Sequence, residues 1–351
     1  MVADCPDVHQ NPQELKYNKA PAKHEMQSES ASCHFNLAEL LTEDGDPESA
    51  ESHYGKALDL QKQLMKDCPA IPQYGQGLAV SLINRGSRRH EEGQWAKAEE
   101  HYGQALDLLS KLVNEYPSLP EYQLDLARGR RNQAALLLDL DRPQDGDKAL
   151  DQALTLCQKL TTRWPDVPAY SEELASDWLL LGDLRAALGR NPEAKAAWRN
   201  FLKLAPETRR TWESKAWFLA TCPDLEFRDP AQAVRLAQKA VDKAPRSRRA
   251  LQALGVASYR AGDWKPAADA LNESLRFSKS GDAASGFFLA MTHWRRGEKE
   301  KAHKLHEQAA QAMAKNQPNQ HALRRFRVEA ADLLRVNGPK SKGDEASPKK
   351  N

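Results

Sequence analysis

Three asparagines, Asn36, Asn84 and Asn132, stand 48 residues apart, and the next position of the series is Leu180, so the row stops at three. A side-chain amide both donates and accepts hydrogen bonds. A ladder of amides at fixed spacing could bond the backbone of an extended peptide with little regard to its sequence. The alternative is that each amide bonds a neighbouring helix and fixes a stack. Arginines accompany the amides: Arg85 and Arg88 near Asn84, Arg128 and Arg131 near Asn132. Guanidinium forks bind carboxylates in bidentate fashion. Arg88 and Arg128 at the edge of such a row would favour an acidic or C-terminal peptide. The plainer reading is a solvated helix face with partners such as Glu91 and Glu92 on the same helix.

Other chemistry finds little support. His303 and His306 are three apart, with His293 before them, but no HExxH occurs and no carboxylate or cysteine completes a tetrad at ligand spacing. His53 and His101 recur at 48 beside Tyr54 and Tyr102 and belong to a repeat pattern. There is no GxSxG and no P-loop, so neither a nucleophile elbow nor a phosphate cradle is written into the chain. The expectation is a non-enzymatic protein with no cofactor and no metal.

Composition narrows the partners. The 351 residues are 40% hydrophobic and 28% charged, with a net charge of +2. No global field drives the chain onto nucleic acid or lipid. The charge is uneven, because residues 246–351 carry 21 basic and 11 acidic residues. That basic third, with Arg324, Arg325 and Arg327 and the nearby Trp264 and Trp294, could meet an acidic partner or nucleic acid, yet no reader motif accompanies it. Both tryptophans read as packing residues. Apolar stretches such as Trp178–Leu181 are far shorter than the roughly 20 residues of a membrane helix. The five cysteines form no CxxC and the N-terminus has no apolar signal core, which together suggest a reducing, cytoplasmic setting.

The elements that would position the amides come from a repeat. At an offset of 48, Tyr74, Tyr122 and Tyr170 align, as do Pro69, Pro117 and Pro165, then Pro72, Pro120 and Pro168, and Leu60, Leu108, Leu156 and Leu204. Ala57, Ala105 and Ala153 form another series, and Gly45, Gly93, Asp141 and Gly189 one more. Within a unit, Ala98, Tyr102, Ala105, Leu106, Leu109 and Leu112 recur in steps of three and four, the spacing of one helix face. The preceding segment, from about Tyr74 to Arg88, also reads as a helix, the first of the unit, and Gly93 sits where the chain must turn between the two. Each unit is therefore expected to be a helical hairpin, stable only when neighbours cover its apolar faces. After about residue 206 the period becomes 34: Trp217 maps to Leu251, Leu254 to Phe288 and Ala233 to Ala267.

A 34-residue unit with alternating large and small residues resembles the tetratricopeptide repeat. The segments Ala216–Pro230, Gly255–Trp264, Phe287–Ala302 and Leu323–Leu334 resemble the long-unit arrays found behind serine/threonine kinase domains in planctomycete-type bacteria. The resemblance implies a helical scaffold whose first helices line a concave groove that holds a peptide or helix of a partner protein. It also implies a link to a kinase or signalling protein. The chain departs from the kinase-linked members, since it has no GxGxxG, HRD or DFG, the parts that hold Mg-ATP. The expected role is an interaction scaffold; the alternatives are a regulatory arm of a kinase system and a nucleic-acid-associated protein using the basic C-terminal third.

The expected fold is all-α, an α-solenoid with about seven hairpins in a right-handed superhelix. Residues 1–25 are expected to be irregular, 26–206 to form four 48-residue hairpins, and 207–315 three hairpins of about 34 residues. Residues 319–335, with Leu323, Phe326, Ala330, Leu333 and Leu334 on one face, should cap the last hairpin, and the Lys/Gly/Pro-rich 337–351 should be a disordered tail.

Overall fold

The computed structural model describes residues 12–43, 47–277, 282–316 and 320–335. The expected turn at Gly45 and the tail at 337–351 lie outside the described residues. Among those described there are fifteen α-helices and no strand. Long helices come first: α1 (Pro12–Glu43), α2 (Pro47–Asp67), α3 (Pro72–Glu91), α4 (Trp95–Glu115), α5 (Pro120–Asp139), α6 (Pro143–Arg163) and α7 (Pro168–Ala187). Shorter ones follow: α8 (Asn191–Leu204), α9 (Arg209–Thr221), α10 (Pro230–Lys243), α11 (Arg248–Ala261), α12 (Trp264–Arg276), α13 (Ala283–Arg295), α14 (Lys299–Asn316) and α15 (His321–Leu334). The period change is thus a shortening, from helices of 20 or 21 residues such as α4 and α5 to helices of 13 or 14 such as α11 and α12.

The boundaries follow from residue chemistry. Pro72, Pro120 and Pro168 each open a helix, where a missing N–H costs nothing and φ is already helical. The turns inside the hairpins need a left-handed residue, and Gly93, Asp141 and Gly189 have φ of 72°, 61° and 71°. The amide after each of the last two reaches back to a carbonyl of the preceding helix, Arg142 N to Leu137 O and Arg190 N to Arg185 O, both at 2.8 Å, which closes the helix end. The irregular segment expected through residue 25 is corrected from its middle onward, because α1 already begins at Pro12. Proline suits that first position, and Gln13, Glu14, Leu15 and Lys16 behind it are good helix formers.

The chain divides into two compact units. Within the described residues, the N-terminal unit takes in everything up to Arg89 together with Ala96–Asn132, and the C-terminal unit takes in His90–Trp95 and the residues from Gln133 onward. In both, the first helices of successive hairpins are tied by polar bonds near their N-termini. Gln76 on α3 donates to Asp125 on α5 at 2.8 Å in the N-terminal unit. In the C-terminal unit Arg210 on α9 donates to Glu173 on α7 at 2.9 Å, and Arg248 on α11 to Asp282, the N-cap of α13, at 3.0 Å. One apolar core runs through the C-terminal unit from Ala175 to Leu334.

Candidate protein-binding face

Hairpins of the 48-residue type are built on a three-part register of small, large and polar residues that the sequence series above do not reveal. The first helix carries a small residue at Ala38, Gly86, Ala134 and Gly182, and sixteen residues on, the second helix carries a large one at Tyr54, Tyr102, Leu150 and Trp198. All eight are buried. The approach is close: a Cβ on Gly86 would lie 2.6 Å from the Tyr102 ring, and one on Gly182 2.1 Å from the Trp198 indole. The residue after the small one receives the polar head of the large one. Tyr54 donates to Glu39, Tyr102 to Ser87 at 3.1 Å, and the Trp198 indole N–H to Asp183 at 3.2 Å. Leu150 has no polar head, and the matching residue is Ala135. The signal was present in the sequence as a third 48-residue series read alongside the other two.

The asparagines are placed by the same register. Asn36, Asn84 and Asn132 each stand two residues before the small residue of their helix. Two residues turn a helix by about 200°, so the amides lie on the side away from the second helix. Asn36 and Asn84 are exposed. Asn132 is half-buried and donates to Ser87 of the preceding hairpin at 3.1 Å, where Ser87 also accepts from Tyr102 and donates to the Ile83 carbonyl at 3.0 Å. The arginines are divided. Arg128 stands 3.7 Å from Asp125 on its own helix, and Arg88 is half-buried. Arg85 and Arg89 both pair with Glu51 on α2.

In the C-terminal unit the row of first helices is covered by α15. Phe326 is buried between Trp217 on α9 and Phe288 on α13, with ring centroids 5.9 and 5.0 Å away. Glu329 takes a two-point ion pair from Arg260 on α11, one arm at 2.7 Å, and the same guanidinium donates to the Ala220 carbonyl at the end of α9. Arg325 donates to the Thr221 carbonyl at 2.7 Å and interacts electrostatically with Asp183 on α7. The His321 backbone N–H reaches Asp139, the last residue of α5, at 3.2 Å. The helix expected at 319–335 therefore packs on the last hairpin and also extends along four hairpins before it.

Electrostatics in this region are set by burial. Burial pushes the Asp183 carboxyl up to about 6, against the opposing pull of Trp198 and Arg325. Burial likewise pushes the Cys222 thiol up to about 12, which leaves it an un-ionised packing group. His293 is held below the ordinary imidazole range by burial while its Nδ1 lies 2.9 Å from Glu298. His306 packs on Phe287, Trp264 lies tilted against Tyr259, and Trp294 meets His303 edge to face. Among the described residues no three His, Cys, Asp or Glu side chains are grouped as a metal would need. No described helix is long and apolar enough to cross a membrane.

Parts of the chain match known proteins. Residues 31–64, 179–226 and 224–283 match tetratricopeptide repeat family models. The chain carries tetratricopeptide repeats in these segments. No curated protein matches the chain in sequence. Among solved structures, the chain is similar to the APC/C hetero-tetramer Cut9–Hcn1, at 14% identity and a TM-score of 0.44, over 83% of this chain and 56% of that one. It is similar to a tetratricopeptide repeat protein from Parabacteroides merdae, at 14% identity and a TM-score of 0.42, over 88% and 99%. Yeast Tom70 matches at 12% identity and a TM-score of 0.41, over 92% and 74%.

Proposed function

We propose that the chain is a non-enzymatic protein–protein interaction scaffold that holds an extended segment of a partner along its row of first helices. The observation that carries this reading is the placement of the amides in the N-terminal unit. Asn36 and Asn84 are exposed, one hairpin apart, on the helix side turned away from the second helices. Asn132 continues the row while spending one amide hydrogen on Ser87. Arg88 and Arg128 stand on the same helices as Asn84 and Asn132 and give the row a basic edge for an acidic or C-terminal peptide. The proposal separates the amides by role. Asn84→Ala should weaken binding of a captured partner by about 1–3 kcal/mol, the cost of a hydrogen bond lost in a desolvated contact, and leave the melt unchanged. Asn132→Ala should also lower the melting temperature, because it removes the bond to Ser87. Affinity capture with the full chain, mass spectrometry and a titration with the identified partner provide the measurement. Unchanged affinity in the Asn84 variant would reject the row as the binding face.

A further inference from the structure

The C-terminal unit shows its row of first helices with an occupant in place. A terminal helix that only sealed the last hairpin would touch α13 and α14. Instead, α15 also bonds groups on α5, α9 and α11, from Asp139 to Arg260. Its contacts have the composition of a ligand's contacts. An aromatic anchor, Phe326, is buried between two aromatic side chains from different hairpins. A carboxylate, Glu329, is gripped in two-point fashion by one arginine. A guanidinium, Arg325, seals the open carbonyl end of α9. Its outer face is polar apart from Val328, with Arg324, Arg327 and Asp332 exposed.

We propose that this row is a helix-binding surface whose resting occupant is α15. The partner it accepts is an amphipathic helix with the same spacing: a basic residue, an aromatic one beside it and an acid three positions later, as in Arg325, Phe326 and Glu329. The inference rests on the scaffold reading above and gives it a second, self-covered face. Arg260 is the selecting residue. Its guanidinium lies over the Phe288 ring, 5.0 Å from the centroid, and bonds the Ala220 carbonyl, so it is held in place whichever helix arrives. A partner helix competes with α15, and the tether to α14 gives the resident helix a high effective concentration. Binding is therefore gated by release of α15.

The test uses the full-length chain and a fluorescein-labelled peptide of residues 320–335. Full-length Phe326→Ala/Glu329→Ala should keep its helical circular dichroism and bind the peptide at least tenfold more tightly than the wild-type chain, whose row is filled. A peptide with Glu329→Ala should lose at least tenfold on the released chain. Adding Arg260→Glu to the released chain should reverse the preference toward a Glu329→Arg peptide. Hydrogen exchange on the wild-type chain should show the amides of α15 opening before those of α13. The proposal is overturned if the released chain loses helicity throughout, if it binds the peptide no better than wild type, if the two peptides bind alike, or if α15 and α13 exchange together. Capture from a lysate separates this result from the scaffold reading. A partner held through Asn84 with no peptide binding rejects the inference alone, whereas peptide binding with no partner on either chain rejects the broader reading alone.

Discussion

Asp183 shows how one residue can look like a catalytic group and serve packing. Its carboxyl, raised to about 6, would suit general acid–base chemistry, yet it sits where Ser87 and Glu39 sit in earlier hairpins and takes the polar head of Trp198. The raised value fixes the sign of its pH effect. The folded chain holds this proton more tightly than the unfolded chain, whose carboxyl titrates near 3.8. Stability from this group is therefore greatest at low pH and is lost as pH rises from about 4 through about 6. Two units at about 1.4 kcal/mol each set an upper bound of about 3 kcal/mol. Asp183→Asn keeps the acceptor for Trp198 and should raise stability at pH 7.5 by about 1–3 kcal/mol, with no gain below pH 4, as read by urea denaturation across pH. The asparagines teach a related lesson. Their spacing was legible in the sequence, but which amide meets solvent and which meets Ser87 depends on the neighbouring hairpin, and the period contains no such information.

At the scale of elements, the hairpin crossing sets the tolerance. Gly182→Ala would place a methyl against the Trp198 indole, and its cost should reach or exceed the usual 1–3 kcal/mol for overpacking. Gly103→Ala, where a Cβ meets nothing within 4 Å, should instead stabilise its helix by about 0.5–1 kcal/mol. Thermal melts of the two variants check both signs. The turn series gives another comparison. Asp141 has a left-handed backbone at a position where Gly93 and Gly189 serve, so Asp141→Gly should raise stability by roughly 0.5–1 kcal/mol. The helix starts and turns were readable because each depends on residues within one unit, a proline to open a helix and a glycine to turn; the small residue opposite a large one was not, because the two lie on different helices sixteen residues apart. The helix at 321–334 was readable, like the helix starts, from its own residues, with Leu323, Phe326, Ala330 and Leu334 on one face. Its seat was not, because Trp217, Arg260 and Asp139 lie on three other helices and share no period with it.

At the scale of the whole chain, a repeat array ordinarily stores its stability in neighbour-to-neighbour interfaces and can unravel one hairpin at a time. The seating of α15 changes that behaviour within the C-terminal unit. Its bonds join residues 182, 104 and 69 positions apart in sequence, His321 to Asp139, Arg325 to Thr221 and Glu329 to Arg260. Contacts of that span form only after the intervening helices are in place, and they are lost when any of those helices leaves. The wild-type unit should accordingly unfold in urea as one sharp transition, whereas Arg260→Ala should broaden it and lower the apparent m-value as hairpins begin to leave separately. A zipper opens from whichever end is weaker; a cord whose free end is tucked under its own earlier turns comes undone only after that end is pulled out. The last helix thus acts as a knot in a linear array, and the resistance of the first hairpins of this unit to unravelling is set by a segment more than a hundred residues downstream.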